Sequence, residues 1–140
     1  MSAVNTQISG FIDLANVEAE DNVTITVKSL NGRIILENSG RDLQGAPLIL
    51  EGDAVVNKWG IVNWDVDPGT NIKRIRIMPK ENQLSIWKKD KDKKLRRNAG
   101  GWTGQVKNGH GKAIEWKYSL YCELEDSTID VIDPIIRVNK

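Results

Sequence analysis

The sequence has few of the residues on which catalysis and covalent cross-linking depend. Its 140 residues include one cysteine, Cys122, and one histidine, His110, so no intramolecular disulfide and no cysteine-based zinc site can form. It contains no Gly-x-Ser-x-Gly elbow, no phosphate-binding loop and no His-Glu-x-x-His motif. A nucleophilic pair of Cys122 and His110 would have to join a buried strand thiol to a loop. We therefore predict a protein that is not an enzyme and that uses no cofactor and no metal.

The chain also lacks long apolar runs and a leader-like beginning. No stretch approaches the roughly 18 apolar residues of a membrane-spanning helix. The segment from Met1 to Gln7 has no basic part followed by an apolar part. These absences predict a cytoplasmic protein with no membrane partner, and leaderless secretion stays open as an alternative. The length suits a single domain, residues 1–140, with one core.

Charge is nearly balanced overall but unevenly distributed. The formal net charge is +1, yet residues 88–97 hold seven cations and two anions, so this basic run carries +5 and the other 130 residues carry −4. Such a run could neutralise the phosphates of a nucleic acid or another polyanion. The interleaved Asp90 and Asp92 would repel phosphate and instead favour pairing within the run. A solvated arm and a polyanion-binding arm both remain open.

The clearest pattern in the sequence runs from Ala113 to Leu124. Every second residue is apolar, and the residues between are mostly charged or polar. The apolar set is Ile114, Trp116, Tyr118, Leu120, Cys122 and Leu124. Alternation held for this length predicts a long strand with one buried face, with Cys122 as a small buried side chain and Tyr121 on the wet face.

Turn signals divide the rest of the chain into further short strands. Asn31-Gly32 lies between two alternating segments and predicts a hairpin, and Pro68-Gly69 predicts a second hairpin between Trp59–Val66 and Asn71–Met78. Pro134 predicts that the last strand is at an edge or broken. We expect an all-β protein of eight or nine strands, folded as a two-sheet antiparallel β-sandwich of immunoglobulin-like or jelly-roll connectivity, with a closed barrel as the alternative.

Residues 88–112 combine the basic run with five glycines and show no apolar periodicity, so we predict a long loop. Two tryptophans bracket the basic run, and an exposed indole offers a flat face to a sugar ring, a base or a cation. Trp64 and Trp116, by contrast, fall on apolar parities and are expected in the core. The candidate ligand-binding residues are Trp87, Arg96, Arg97, Asn98, Trp102 and His110.

The sequence thus predicts a binding or assembly module that presents residues 87–112 to a carbohydrate or a protein. Binding of nucleic acid or another polyanion through residues 88–97 is the alternative. Asp65 and Asp67 could offer oxygens to calcium together with a second turn, but calcium takes six to eight oxygens and no such array is recognisable in the sequence. Solvated turn carboxylates are the simpler interpretation of these two residues.

The C-terminal third resembles a known family. Tyr118-Ser-Leu-Tyr-Cys-Glu-Leu124, a polar turn and Ile132-Asp-Pro-Ile-Ile-Arg-Val138 are similar to the end of the bacterial inclusion-body (PixA-type) proteins. In that family an aromatic strand and a terminal Asp-Pro strand close a small β-sandwich. The resemblance implies the fold and self-association into a homo-oligomer, and it implies no catalytic residue.

Overall fold

The structure, a computed structural model, describes residues 17–30, 33–39, 53–83, 85–88, 95–98, 101–107 and 113–138. Strands dominate these ranges, which contain no helix, and the all-β class predicted from the sequence is confirmed. No helix in this part of the chain is therefore long and apolar enough to cross a bilayer. The strands are β1 (Glu20–Leu30), β2 (Arg33–Asn38), β3 (Ala54–Val66), β4 (Ile72–Pro79), β5 (Arg96–Asn98), β6 (Gly101–Gln105), β7 (Ile114–Leu124), β8 (Ile129–Ile132) and β9 (Ile135–Val138).

One hydrogen-bonded path joins six strands in the order β2-β1-β3-β9-β7-β4, and β5, β6 and β8 attach beside it. β3 runs parallel to both β1 and β9, so the sheet is mixed and the prediction of a purely antiparallel protein is wrong. A parallel pair cannot be joined by a tight turn, and in the sequence β2 and residues 39–53 separate β1 from β3. Because the strands form one open sheet, the two separate sheets of a sandwich are not confirmed.

β7 joins the two parts of this sheet. Its beginning, Ile114 to Lys117, pairs with β9, and its remainder pairs with β4 on one edge and β8 on the other. The predicted apolar face is buried from Trp116 onward, and Tyr121 is exposed on the other face, as expected. Ser119 departs from the pattern because it is buried, and its hydroxyl donates to Asp133 Oδ1 at 3.0 Å.

Four aromatic rings form the centre of the core. Trp64 makes edge contacts with Trp87 and Tyr118, at centroid separations of 5.8 and 5.6 Å. Trp116 lies 5.0 Å from Trp87 and stacks on Tyr118 at 5.3 Å, so the rings form a closed cycle. Trp64 Nε1 donates to the Tyr118 hydroxyl at 3.0 Å, and burial raises the pKa of Tyr118 well above its ordinary value. The core positions predicted for Trp64 and Trp116 are confirmed.

The two predicted hairpins have different outcomes. β1 and β2 pair antiparallel from Leu30 and Arg33 outward, so the hairpin around Asn31-Gly32 is confirmed. The chain also turns at residues 67–70, where the Thr70 N–H donates to the Asp67 carbonyl at 3.2 Å. The second hairpin is nevertheless wrong, because β4 pairs with β7 and both edges of β3 are taken by β1 on one side and by β6 and β9 on the other.

The break predicted at Asp133-Pro134 is confirmed. β8 ends at Ile132 and β9 begins at Ile135, and both pair with the same edge of β7. The Pro134 carbonyl accepts from the Tyr118 N–H at 3.2 Å, and Asp53 Oδ1 accepts from the Ile135 N–H at 2.7 Å. These bonds allow the chain to pass the proline without losing its place beside β7.

The prediction of an unbroken loop over residues 88–112 needs correction. β5 and β6 form a hairpin inside this range, and Val106 forms a bridge with Trp87. The prediction counted Gly104 as a loop residue, but this glycine lies in β6, where it allows close packing against Trp87 and Leu95. A Cβ there would lie 2.8 Å from Trp87 Cε3 and 2.4 Å from Leu95 Cδ2, so β6 can pass this close to Trp87 only with a glycine.

Candidate binding surface

β3 contains a bulge at Asn57–Gly60 that projects Trp59 into solvent. β1 advances from Glu20 to Asn22 while β3 advances from Val56 to Ile61, so β3 carries three more residues than its partner. Trp59 lies within this excess, has a φ of 66°, and is 48% exposed. A bulky residue rarely adopts the left-handed region, because its Cβ crowds the following carbonyl. Backbone strain of this kind persists where the surrounding structure enforces it, and it is frequent at functional sites.

Several contacts fix the bulge from both sides. The Asn57 amide donates to Asp21 Oδ1 at 2.9 Å on the β1 side. On the other side the Gln105 amide donates to the Trp59 carbonyl at 3.0 Å, and the Val106 N–H donates to the Gly60 carbonyl at 2.8 Å. The backbone around Trp59 is therefore held by β1 on one side and by the end of β6 and Val106 on the other.

Gly60 is required by the close approach of other backbone atoms. A Cβ at this position would lie 2.8 Å from the Asn57 carbonyl oxygen and 3.3 Å from the Glu20 carbonyl oxygen. Both atoms belong to the backbone and cannot rotate away, so a larger residue would open the bulge. Gly60 is therefore a local sequence requirement for the bulge that exposes Trp59.

The exposed indole of Trp59 has a cation beside it. Lys88 Nζ lies over the ring at 5.3 Å from its centroid, within the range of a cation–π interaction. The backbone of Lys88 is positioned by its N–H, which donates to the Gln105 carbonyl at 2.7 Å, and the side-chain amide of the same Gln105 holds the Trp59 carbonyl. The ring and the ammonium group are therefore positioned by the same two segments.

A polar sheet face extends from Trp59 across β1, β3 and β6. The Asn63 amide donates to Asn22 Oδ1 at 3.0 Å, and Asn63 Oδ1 accepts from the Thr103 hydroxyl at 2.9 Å. Asn63 pairs with Thr103 in the ladder, and the next outward-facing pair is Ile61 with Gln105. We call this surface the Trp59 face, and its members are Asn22, Trp59, Asn63, Thr103 and Gln105.

The structure places Trp87 in the core, not on this face. Its ring is 2% exposed and lies between Trp64 and Trp116. Its Nε1 has no hydrogen-bond partner within the described part of the chain, although a buried indole usually finds one. Because a buried ring offers no face to a ligand, we exclude Trp87 from the candidate binding surface.

Trp102 and Arg97 lie together at the β5–β6 hairpin. Trp102 is partly buried, pairs with Trp64 in the ladder, and donates from Nε1 to the Ile75 carbonyl of β4 at 2.9 Å. Arg97 is exposed, and its guanidinium carbon lies 5.7 Å from the Trp102 ring centroid. The Trp102 indole therefore links β6 to β4, which is the pinning role that a loop tryptophan often has.

The remaining candidate residues are described only in part or not at all. Arg96 and Asn98 are in β5 and pair with Thr103 and Gly101, and their side chains lie outside the description. His110 lies outside the described residues, as does most of the basic run, residues 89–94. Ligand binding by Arg96, Arg97, Asn98 and His110 stays a prediction.

Sequence reasoning missed Trp59 as a site residue. Its only signal was a bulky aromatic directly before a glycine inside an otherwise alternating strand, and a glycine in that position can mark a bulge. Asn63 and Thr103 carried no signal, since the pairing of β3 with β6 brings them together across 40 residues of sequence.

Cys122 and the turn carboxylates show no sign of chemistry. The Cys122 thiol is fully buried, and burial raises its pKa to about 12, which confirms the interpretation as a small buried side chain. Asp67 Oδ1 accepts from the Gly69 N–H at 2.9 Å, as a turn residue does. Within the ranges that the structure describes, no group of three or more histidine, cysteine or acidic side chains could hold a metal ion.

Comparison of the sequence with models of protein families and with curated proteins gave no match.

Proposed function

We propose that this protein is a non-enzymatic carbohydrate-binding module whose ligand lies along the Trp59 face. The observation that carries the proposal is Trp59 itself, an indole that is 48% exposed on a strained backbone that its neighbours fix. A left-handed backbone at a bulky residue is costly, and strain of this kind is concentrated at functional sites. A sugar ring has an apolar face of its own, and stacking on an indole removes both surfaces from water.

The polar members of the Trp59 face complement the stack. Amides and hydroxyls both donate and accept, as sugar hydroxyls do, so Asn22, Asn63, Thr103 and Gln105 can bond a chain of sugar rings in several orientations. Their mutual hydrogen bonds, such as Asn63 to Thr103 at 2.9 Å, hold them in place before a ligand arrives. The predicted recognition segment, residues 87–112, then contributes Lys88, Thr103 and Gln105 to this surface.

We also propose that the sheet folds into two layers, with β4, β7 and β8 over β3 and β6. The bond from Trp102 Nε1 to the Ile75 carbonyl and the contact of Trp64 with Tyr118 support this arrangement. The Trp59 face would then be the outer surface of one layer, open to an extended ligand.

The test is binding of the intact protein to an array of neutral and acidic glycans, followed by titration of the best ligand. We expect Trp59→Ala to weaken binding by about 5- to 150-fold, since stacking of a base on an aromatic side chain contributes about 1–3 kcal/mol. The matched control is Tyr121→Ala, because Tyr121 is an exposed aromatic (37%) on β7 and not on the Trp59 face. Binding that survives Trp59→Ala, or that is lost equally in Tyr121→Ala, would contradict the proposal.

Polyanion binding is the second candidate, and two contacts favour it. Lys88 lies over Trp59 and Arg97 over Trp102, so both ends of the segment between them present a cation beside an aromatic ring. Binding of a single-stranded nucleic acid through this segment would weaken steeply with salt, because it releases counterions from each neutralised phosphate. Stacking of a neutral sugar would change little over the same salt range, and one ion pair would add a much smaller salt dependence than several phosphate contacts. The steepness of the salt dependence therefore separates the candidates.

A further inference from the structure

The cation beside Trp59 points to the class of sugar that the Trp59 face would bind. Lys88 is exposed, and its ammonium group forms no ion pair within the described residues. Its described partner is the Trp59 ring at 5.3 Å. A lysine whose backbone is fixed beside the exposed ring, and whose charge is not neutralised by the described residues, provides an anion site within reach of a ligand that stacks on the ring.

Neighbouring residues reinforce this positive charge. Lys58 precedes Trp59 in the bulge, and Lys107 lies on the same face as Gln105, two residues further along, with its N–H bonded to the Ile86 carbonyl at 2.9 Å. Neither lysine forms an ion pair among the described residues. The carboxylate attached to the bulge, Asp21, accepts from the Asn57 amide.

We propose that the ligand of the Trp59 face is an anionic glycan, in which a sugar ring stacks on Trp59 and its carboxylate or sulfate group pairs with Lys88. This inference rests on the proposed carbohydrate-binding function. A neutral sugar hydroxyl could accept an ordinary hydrogen bond from Lys88, whereas a carboxylate or sulfate would form a charge-assisted bond, which contributes more. A nucleic acid would also match the charge, and the oligonucleotide arm of the experiment below distinguishes it from a glycan.

The experiment uses matched pairs of small glycans that differ in charge alone. We would titrate the intact protein with oligogalacturonate and its methyl ester, with sialyllactose and its methyl ester, and with a sulfated disaccharide and its desulfated form. The expected result is at least about tenfold tighter binding of the charged member in one pair, which corresponds to about 1.4 kcal/mol.

Three variants assign that preference to Lys88. Lys88→Gln should remove the preference by weakening the charged member more than the uncharged one, and Lys88→Arg should keep the preference. The matched control is Lys73→Gln, which removes the same charge from an exposed position on β4. A preference that survives Lys88→Gln, or that disappears equally in Lys73→Gln, would overturn the role of Lys88.

The outcomes separate this inference from the proposed function. Equal binding of both members in all pairs would leave carbohydrate binding standing and overturn the anionic class. Binding to none of the six glycans would overturn both. Binding to a labelled single-stranded oligonucleotide in place of every glycan would also overturn both, in favour of the polyanion candidate.

Discussion

Trp64 and Trp87 allow a controlled test of how the core is held together. Both rings are buried in the same aromatic cluster and touch each other at 5.8 Å, but their N–H groups differ. Trp64 Nε1 donates to the Tyr118 hydroxyl at 3.0 Å, whereas Trp87 Nε1 has no partner in the described part of the chain. Replacing each by phenylalanine removes the same atoms from the two positions.

The magnitudes follow from the two N–H groups. Trp64→Phe loses a hydrogen bond with a net contribution of about 1 kcal/mol, in addition to the lost ring volume. Trp87→Phe loses a similar volume but also removes a buried unpaired donor, whose burial costs about 1–3 kcal/mol. Since the volume losses largely cancel in the comparison, we expect Trp64→Phe to lower the free energy of unfolding by about 2–4 kcal/mol more than Trp87→Phe.

Urea unfolding measures the free energy of unfolding of both variants. Far-UV circular dichroism is the probe, because the substitutions themselves would change the tryptophan fluorescence. Combining each substitution with Tyr118→Phe gives a double-mutant cycle, and we expect a coupling energy of about 1 kcal/mol with Trp64→Phe and close to zero with Trp87→Phe. Equal losses in the two single variants, or a larger loss for Trp87→Phe, would refute the reasoning and show that Trp87 Nε1 is satisfied.

Four further outcomes are expected. Trp59→Gly should leave the free energy of unfolding unchanged or raise it by up to about 1 kcal/mol, because glycine relieves the left-handed strain. A loss above about 2 kcal/mol, the cost of truncating a core side chain, would show that the Trp59 ring stabilises the fold. Gly60→Ala should cost about 1–3 kcal/mol, because its Cβ would lie 2.8 Å from the Asn57 carbonyl oxygen, and a neutral result would mean that the bulge relaxes. Burial raises the pKa of Cys122 from 9.0 to about 12, so only the unfolded thiol ionises between about pH 9 and 12, and ionisation of this thiol should lower the free energy of unfolding by at most about 1.4 kcal/mol per pH unit as pH rises. An equally steep fall in Cys122→Ala would assign the effect to other groups. Self-association should be present at low salt and weaken above a few tenths molar, since the +5 run at residues 88–97 faces a body of −4, and sedimentation velocity showing a monomer at both salt concentrations would contradict it.

Local patterns predicted the strands well but predicted their partners poorly. The strict alternation in β7 fixed its buried face in advance, because side chains of a strand must alternate between faces. Pro68-Gly69 located a turn, yet it could not show that β1, β6 and β9 occupy both edges of β3 and leave β4 to pair with β7. Pairings between distant segments depend on the whole fold, which a short sequence window does not contain.

The candidate site, like the fold, could be predicted only in part from local sequence patterns. Trp87 was expected at the surface because it borders the basic run, but packing against Trp64 and Trp116, distant in sequence, buries it. Trp59 was overlooked because a strand pattern does not reveal which residues a bulge will expel. The aromatic character of the site was thus predictable, and the identity of its exposed ring was not.

The position of β9 in the strand order has a consequence for the synthesis of the chain. β9 lies between β3 and β7, yet the ribosome makes it after both of them. Until Ile136 and Val138 emerge, β3 and β7 have no strand between them, and the aromatic rings on their inner sides cannot be fully enclosed. The β1–β2 hairpin can form early, but the sheet is complete only after β9 has been translated. Until then the nascent chain exposes apolar surface, which favours chaperone binding.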